Sequence, residues 1–186
     1  MKRKVTFGAF VCRLLLKMLL VVILCDVVAM AISVISVNHL ARVISQAVTL
    51  TVSFTLLYLV AFEEGDLDVN RASFGHSNAT WARGFGAGAV ACIPFFLLSL
   101  LLIAAKAGLT PGIDGTILGL YRLIVSPFYA ANMTLLPTVL TMVEQSWGNI
   151  VLSALLPLLL IVVIGMGYAL GFNRFSVTEH LMYKKK

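Results

Sequence analysis

"IVLSALLPLLLIVVIGMGYALGF", residues 150–172, runs for 23 positions without a charged side chain. About 20 apolar residues in a helix reach across the hydrocarbon core of a bilayer. The stretch therefore reads as a transmembrane helix. Trp147 precedes it and Tyr168 and Phe172 lie at its far end, where aromatic rings favour the membrane–water boundary. Towards the N-terminus, residues 84–105 form a second such run, uncharged and with one proline, Pro94. Residues 40–62 form a third, with Arg42 near its start, and residues 14–37 a fourth, interrupted by Lys17 and Asp26.

Composition agrees with this class. The chain is 60% hydrophobic and only 12% charged, with a mean hydropathy of +1.00, whereas soluble domains carry about 25% charged residues. The net charge of +6 gathers largely at two clusters, Lys2-Arg3-Lys4 and Lys184-Lys185-Lys186, within the basic tail 173–186. Such clusters beside apolar helices mark cytoplasmic flanks, not nucleic-acid binding. The expected partner is the lipid bilayer, with other subunits of a membrane complex as further candidates. Ala29-Met30-Ala31 has the look of a signal-peptide cleavage site. The apolar run nevertheless continues to Val37 and contains Asp26, so a retained helix is expected.

Two basic ends place both termini in the cytoplasm, which requires an even number of crossings. The expected fold is an all-α integral membrane protein, a four-helix transmembrane bundle forming one domain. Residues 113–143 add a further segment. They are long enough to cross, yet hold Pro127, Asn132 and Pro137, with Arg122 at the edge of the uncharged part. Proline removes a backbone donor and clashes one turn back. Two short helices meeting near Ser126 and Pro127 are expected, as a broken re-entrant piece; a full fifth span is the alternative. Gly84-x-x-x-Gly88 and Gly167-x-x-x-Gly171 are small-residue notches for close helix packing.

Between the second and third runs lies the most polar stretch. Residues 63–83 read as a cytoplasmic loop with Glu63, Glu64, Asp66 and Asp68, half of the chain's eight acidic residues. Asp66-x-Asp68-x-Asn70 opens like a calcium loop, but Arg71 stands where the turn glycine belongs and Ser77 where the bidentate glutamate belongs. No metal is expected there, and no cofactor. Ser77 or Asn78 is the expected cap of the following helix.

Gly65-x-x-Asp68-x-Asn70, then Gly75, Arg83-Gly84 and Pro94, together with Gly167-Tyr168-x-x-Gly171 and the basic tail, resembles a pattern in small multi-span membrane proteins of Gram-positive bacteria. The resemblance implies a bacterial plasma membrane and a loop with a role of its own, centred on Asp68, Asn70 and Arg83. It brings no activity or substrate.

Within the spans, Asp26 is the residue that most needs a reason, because a carboxylate at mid-helix costs about 2.5–3.5 kcal/mol to insert. Arg42, Ser45, Gln46, Thr49 and Ser53 make a polar face on the next run. Counting from the turn near His39 sets Asp26 level with Ser53, with Thr49 one turn away. Two roles fit: hydrogen-bonded glue between helices, or proton or cation coupling with Arg122 as the only cation in reach.

Catalytic constellations are lacking: the sequence has no H-E-x-x-H, no P-loop and no Ser/His/Asp or Cys/His pattern. An enzyme is not expected. The leading expectation is a transport-related protein or a subunit of a membrane complex. The alternative is a substrate-binding membrane subunit like those of energy-coupling-factor transporters.

Overall fold

The computed structural model describes residues 7–35, 39–73, 80–110, 112–137, 141–142 and 144–173. Among them the chain is helical throughout, with no strand: α1 Phe7–Ile35, α2 His39–Ser73, α3 Arg83–Ala91, α4 Ile93–Lys106, α5 Asp114–Ile124, a 3₁₀ turn Ser126–Phe128, α6 Tyr129–Leu135, α7 Trp147–Leu155 and α8 Leu158–Phe172. Among the described residues, three stretches are long and apolar enough to cross a membrane: Phe7–Ile32, Leu40–Ala72 and Trp147–Phe172. A fourth is added if α3 and α4 count as one bent span. The bend between them is 49°. It falls at Cys92 and Pro94, where the proline ring collides with the carbonyl one turn back.

The largest departure from the sequence reading is the loop expected over residues 63–83. α2 continues through it to Ser73. Gly65 disfavours a helix by about 1 kcal/mol relative to alanine. Here packing overrides propensity, because a Cβ at Gly65 would meet the backbone of α8 at the Tyr168 carbonyl and, at 2.8 Å, the Phe172 nitrogen. The expected caps Ser77 and Asn78 lie outside the described residues, and α3 starts at Arg83.

α8 is packed along α2 and α3 through glycines on all three helices. Gly167 lies against Tyr58 and Gly171 against Phe62, both on α2. Gly84 lies against Tyr168 and Gly88 against Ile164, both on α8. Both small-residue notches therefore face helices of the same chain. α1 adds a buried stripe of Phe10, Leu14, Met18, Val21, Cys25 and Ala29, the spacing of one helix face. Cys92 is buried and Cys12 exposed. The start of α1 meets the end of α8, with the Phe10 and Tyr168 rings 5.7 Å apart.

After α4 the chain turns through Gly108 and Gly112, at φ 77° and 86°. These left-handed values suit glycine. α5 and α6 then make a broken hairpin. Tyr121 on α5 and Asn132 on α6 both reach Ser153 of α7: the Tyr121 hydroxyl donates to the Ser153 carbonyl at 2.7 Å, and Ser153 Oγ donates to Asn132 Oδ1 at 2.6 Å. The break occupies Val125 to Phe128, all buried.

Candidate functional site

Glu64, Asp68 and Arg71 sit at i, i+4 and i+7 on α2, so they share one face of that helix. The face turns inward: Glu64 is 3% exposed and Asp68 1%. Buried carboxylates require partners, and arginines from three helices supply them. Glu64 Oε2 accepts from Arg13 of α1 at 2.9 Å and Oε1 from Arg71 at 2.8 Å. Asp68 Oδ1 accepts from Arg71 at 2.7 Å and Oδ2 from Arg83 of α3 at 2.6 Å. The buried hydroxyl of Tyr168, on α8, also donates to Asp68 Oδ2, at 2.8 Å. All four carboxylate oxygens are engaged, and the distances are those of charge-assisted bonds. Two carboxylates against three guanidiniums leave the cluster at +1. It ties α1, α2, α3 and α8 together at one end of the bundle.

Of the expected loop residues, Asp68 and Arg83 are thus joined in one cluster, and Asn70 is half-buried on α2. Arg13 has no part in the sequence reading, and Glu64, Arg71 and Tyr168 enter it without a shared role. The helical spacing of Glu64, Asp68 and Arg71 was the available signal.

A second polar region lies where the broken hairpin meets α1 and α2. The break frees backbone groups that must be satisfied locally when water is absent. Gln46 does so from both ends of its amide: Nε2 donates to the Pro127 carbonyl at 2.9 Å, and Oε1 accepts from the Ala131 amide at 2.9 Å. Thr49 Oγ1 donates to the same carbonyl at 3.2 Å. Ser126 Oγ reaches back to the Val22 carbonyl of α1 at 3.0 Å. The depth expected for Thr49 and Ser53 brings them to α1, but the residue that meets them is Cys25. Its Sγ is 3.2 Å from Ser53 Oγ and 3.7 Å from the Thr49 carbonyl. Asp26, one position on and half-buried, lies within electrostatic reach of Ser126, whose hydroxyl is bonded to Val22. Arg122 donates to the Leu136 carbonyl.

Gln46→Leu is expected to cost about 1–3 kcal/mol, because the Ala131 amide is left without an acceptor in a half-buried site. Thermal unfolding in mild detergent checks this. Stability equal to the parent would mean that the break does not depend on Gln46.

Comparison with protein-family models, with curated proteins and with solved structures returns no match for this chain.

Proposed function

We propose that the chain is a multi-pass protein of a bacterial plasma membrane that takes part in solute transport, alone or as a subunit of a larger complex, and has no enzymatic activity. In this reading α1, α2, the bent pair α3–α4 and the α7–α8 unit cross the bilayer. The α5–α6 hairpin enters from one side and leaves by the same side. The ion cluster lies at the other side, the cytoplasmic one, with both termini.

The observation that carries the reading is the helix break seated against Asp26. Irregular backbone at membrane depth occurs where protein or a polar cavity covers it, and broken helices are where transporters place their coupling sites. Ser126 has one proton to give. When Asp26 is protonated, Ser126 Oγ keeps its bond to the Val22 carbonyl. In this reading an ionised Asp26 competes with Val22 for that proton. The protonation state of Asp26 is thereby linked to the seating of the hairpin.

The test is Asp26→Asn. The amide keeps a donor for Ser126, so the variant is expected to fold with the parent's stability. It is expected to lose pH-driven proton uptake in vesicles carrying an internal pH indicator. Equal uptake by parent and variant would sink the coupling role and leave Asp26 as helix glue.

A further inference from the structure

Beside the ion cluster, α1 and α2 leave an open groove of about 200 Å³ between them. Its apolar wall is Leu16, Val60 and Leu67. Its polar lining is two cations, Arg13 and Lys17, and two carboxylates, Glu63 and Glu64. Glu64 is buried and held by two arginines, and Arg13 is one of them. Arg13 is 56% exposed, so its remaining N–H groups face the groove and its surroundings. Lys17 and Glu63 are both exposed, and neither takes part in an ion pair among the described residues. The groove therefore offers a free cation and a free anion above an apolar wall.

The order of these groups is set by the helix register. The Arg13–Glu64 pair fixes the antiparallel alignment, so Lys17, four residues further along α1, is level with Val60. Glu63 lies three residues from Val60 towards the cluster end, about 4.5 Å along the axis at 1.5 Å per residue. The cation is thus the deeper of the two groups and the carboxylate the shallower. Beyond Lys17 the same face of α1 continues through Leu20 and Leu24, 44% and 40% exposed.

From this arrangement we infer that the groove seats one phospholipid with a zwitterionic aminoethyl-phosphate head, phosphatidylethanolamine. Its phosphate is held by Lys17, its ammonium by Glu63, and an acyl chain lies along Leu16, Leu20 and Leu24. The charge order matches: phosphate lies next to the glycerol and the chains, and the amine is two carbons further out. A lipid with an uncharged glycerol head would satisfy Lys17 but leave Glu63 facing the phosphate without its cation. The inference rests on the membrane reading above, and the assignment of the occupant rests on charge complementarity.

The test uses the full chain purified in mild detergent, offered equal amounts of phosphatidylethanolamine and phosphatidylglycerol with identical acyl chains and read by native mass spectrometry. One phosphatidylethanolamine per chain is expected in clear preference. Lys17→Ala should lower its retention roughly tenfold, the factor that about 1.4 kcal/mol carries. Glu63→Gln should remove the preference and let both lipids bind alike. Arg42→Ala, an exposed cation at the opposite end of α2, should change nothing. Because Lys17 and Glu63 are exposed, these variants are expected to fold, and thermal unfolding verifies it. Equal retention of the two lipids by the parent overturns the proposal, as does parental retention by Lys17→Ala. Displacement of the lipid by soluble phosphoethanolamine at equal concentration also overturns it, because the chain would then read a free headgroup. A chain that stays dispersed in water once detergent is removed refutes the membrane reading itself, an outcome distinct from any of these.

Discussion

Asp68→Ala is expected to cost about 3–5 kcal/mol, the usual result of removing one member from a buried ion pair. Asp68 is 1% exposed and is the only acid bonded to Arg83 and to the Tyr168 hydroxyl among the described contacts. Its removal leaves a guanidinium and a phenol short of an acceptor in a packed site, and that penalty makes up most of the effect. Glu63→Ala, on the same helix but exposed, should stay within about 0.5 kcal/mol of the parent. Asp68→Asn should fall between, since the amide oxygen still accepts from Tyr168 while the charge is lost. Thermal unfolding of the three variants in one detergent decides the matter. Equal stability of Asp68→Ala and Glu63→Ala would show that the cluster does not tie the helices together.

A single methyl group gives the other large effect. Gly171→Ala is expected to destabilise the bundle by about 3 kcal/mol or more, the upper end of overpacking costs. The new Cβ would overlap the Phe62 carbonyl and lie 3.0 Å from the Phe62 Cα. Those atoms are backbone of α2, with no side-chain rotation to relieve the collision. α2 and α8 must therefore move apart, and the Tyr168–Asp68 bond lies on the same interface. Gly86→Ala is the counterpart. Nothing lies within 4 Å of a Cβ built there, and alanine is the better helix former by about 1 kcal/mol. That variant should equal or exceed the parent. A Gly171→Ala protein as stable as Gly86→Ala would mean that α2 and α8 are not held this closely.

The all-helical architecture and the three or four long apolar helices among the described residues follow from the long apolar runs, because a helix satisfies its backbone hydrogen bonds within its own segment in an apolar setting. The broken hairpin was legible from Pro127. The loop expected over residues 63–83 was misread because four acids in six positions look solvated. Their helical spacing, with Arg71 as the third member of the face, pointed the other way. What no local pattern encodes is which helices bring the remaining charges. Arg13 lies 51 positions from Glu64, and Tyr168 lies 100 from Asp68. In the same way, counting from a turn sets the depth of a residue but not the rotation of its helix. Thr49 and Ser53 consequently meet Cys25 rather than Asp26.

The close seating of α8 on α2 also bears on how the chain is made. Asp68 and Arg83 leave the ribosome 15 positions apart, so their pair can form almost at once. Tyr168 follows Asp68 by 100 positions, an interval of roughly 5–20 s at 5–20 residues per second. Through that interval the glycine faces of α2 and α3 wait without the helix that covers them. Nascent chains halted before α8 would present those faces to lipid, to each other, or to an insertion chaperone. The biogenesis of this protein is therefore most vulnerable just before α8 emerges, when α1 to α7 are already in place.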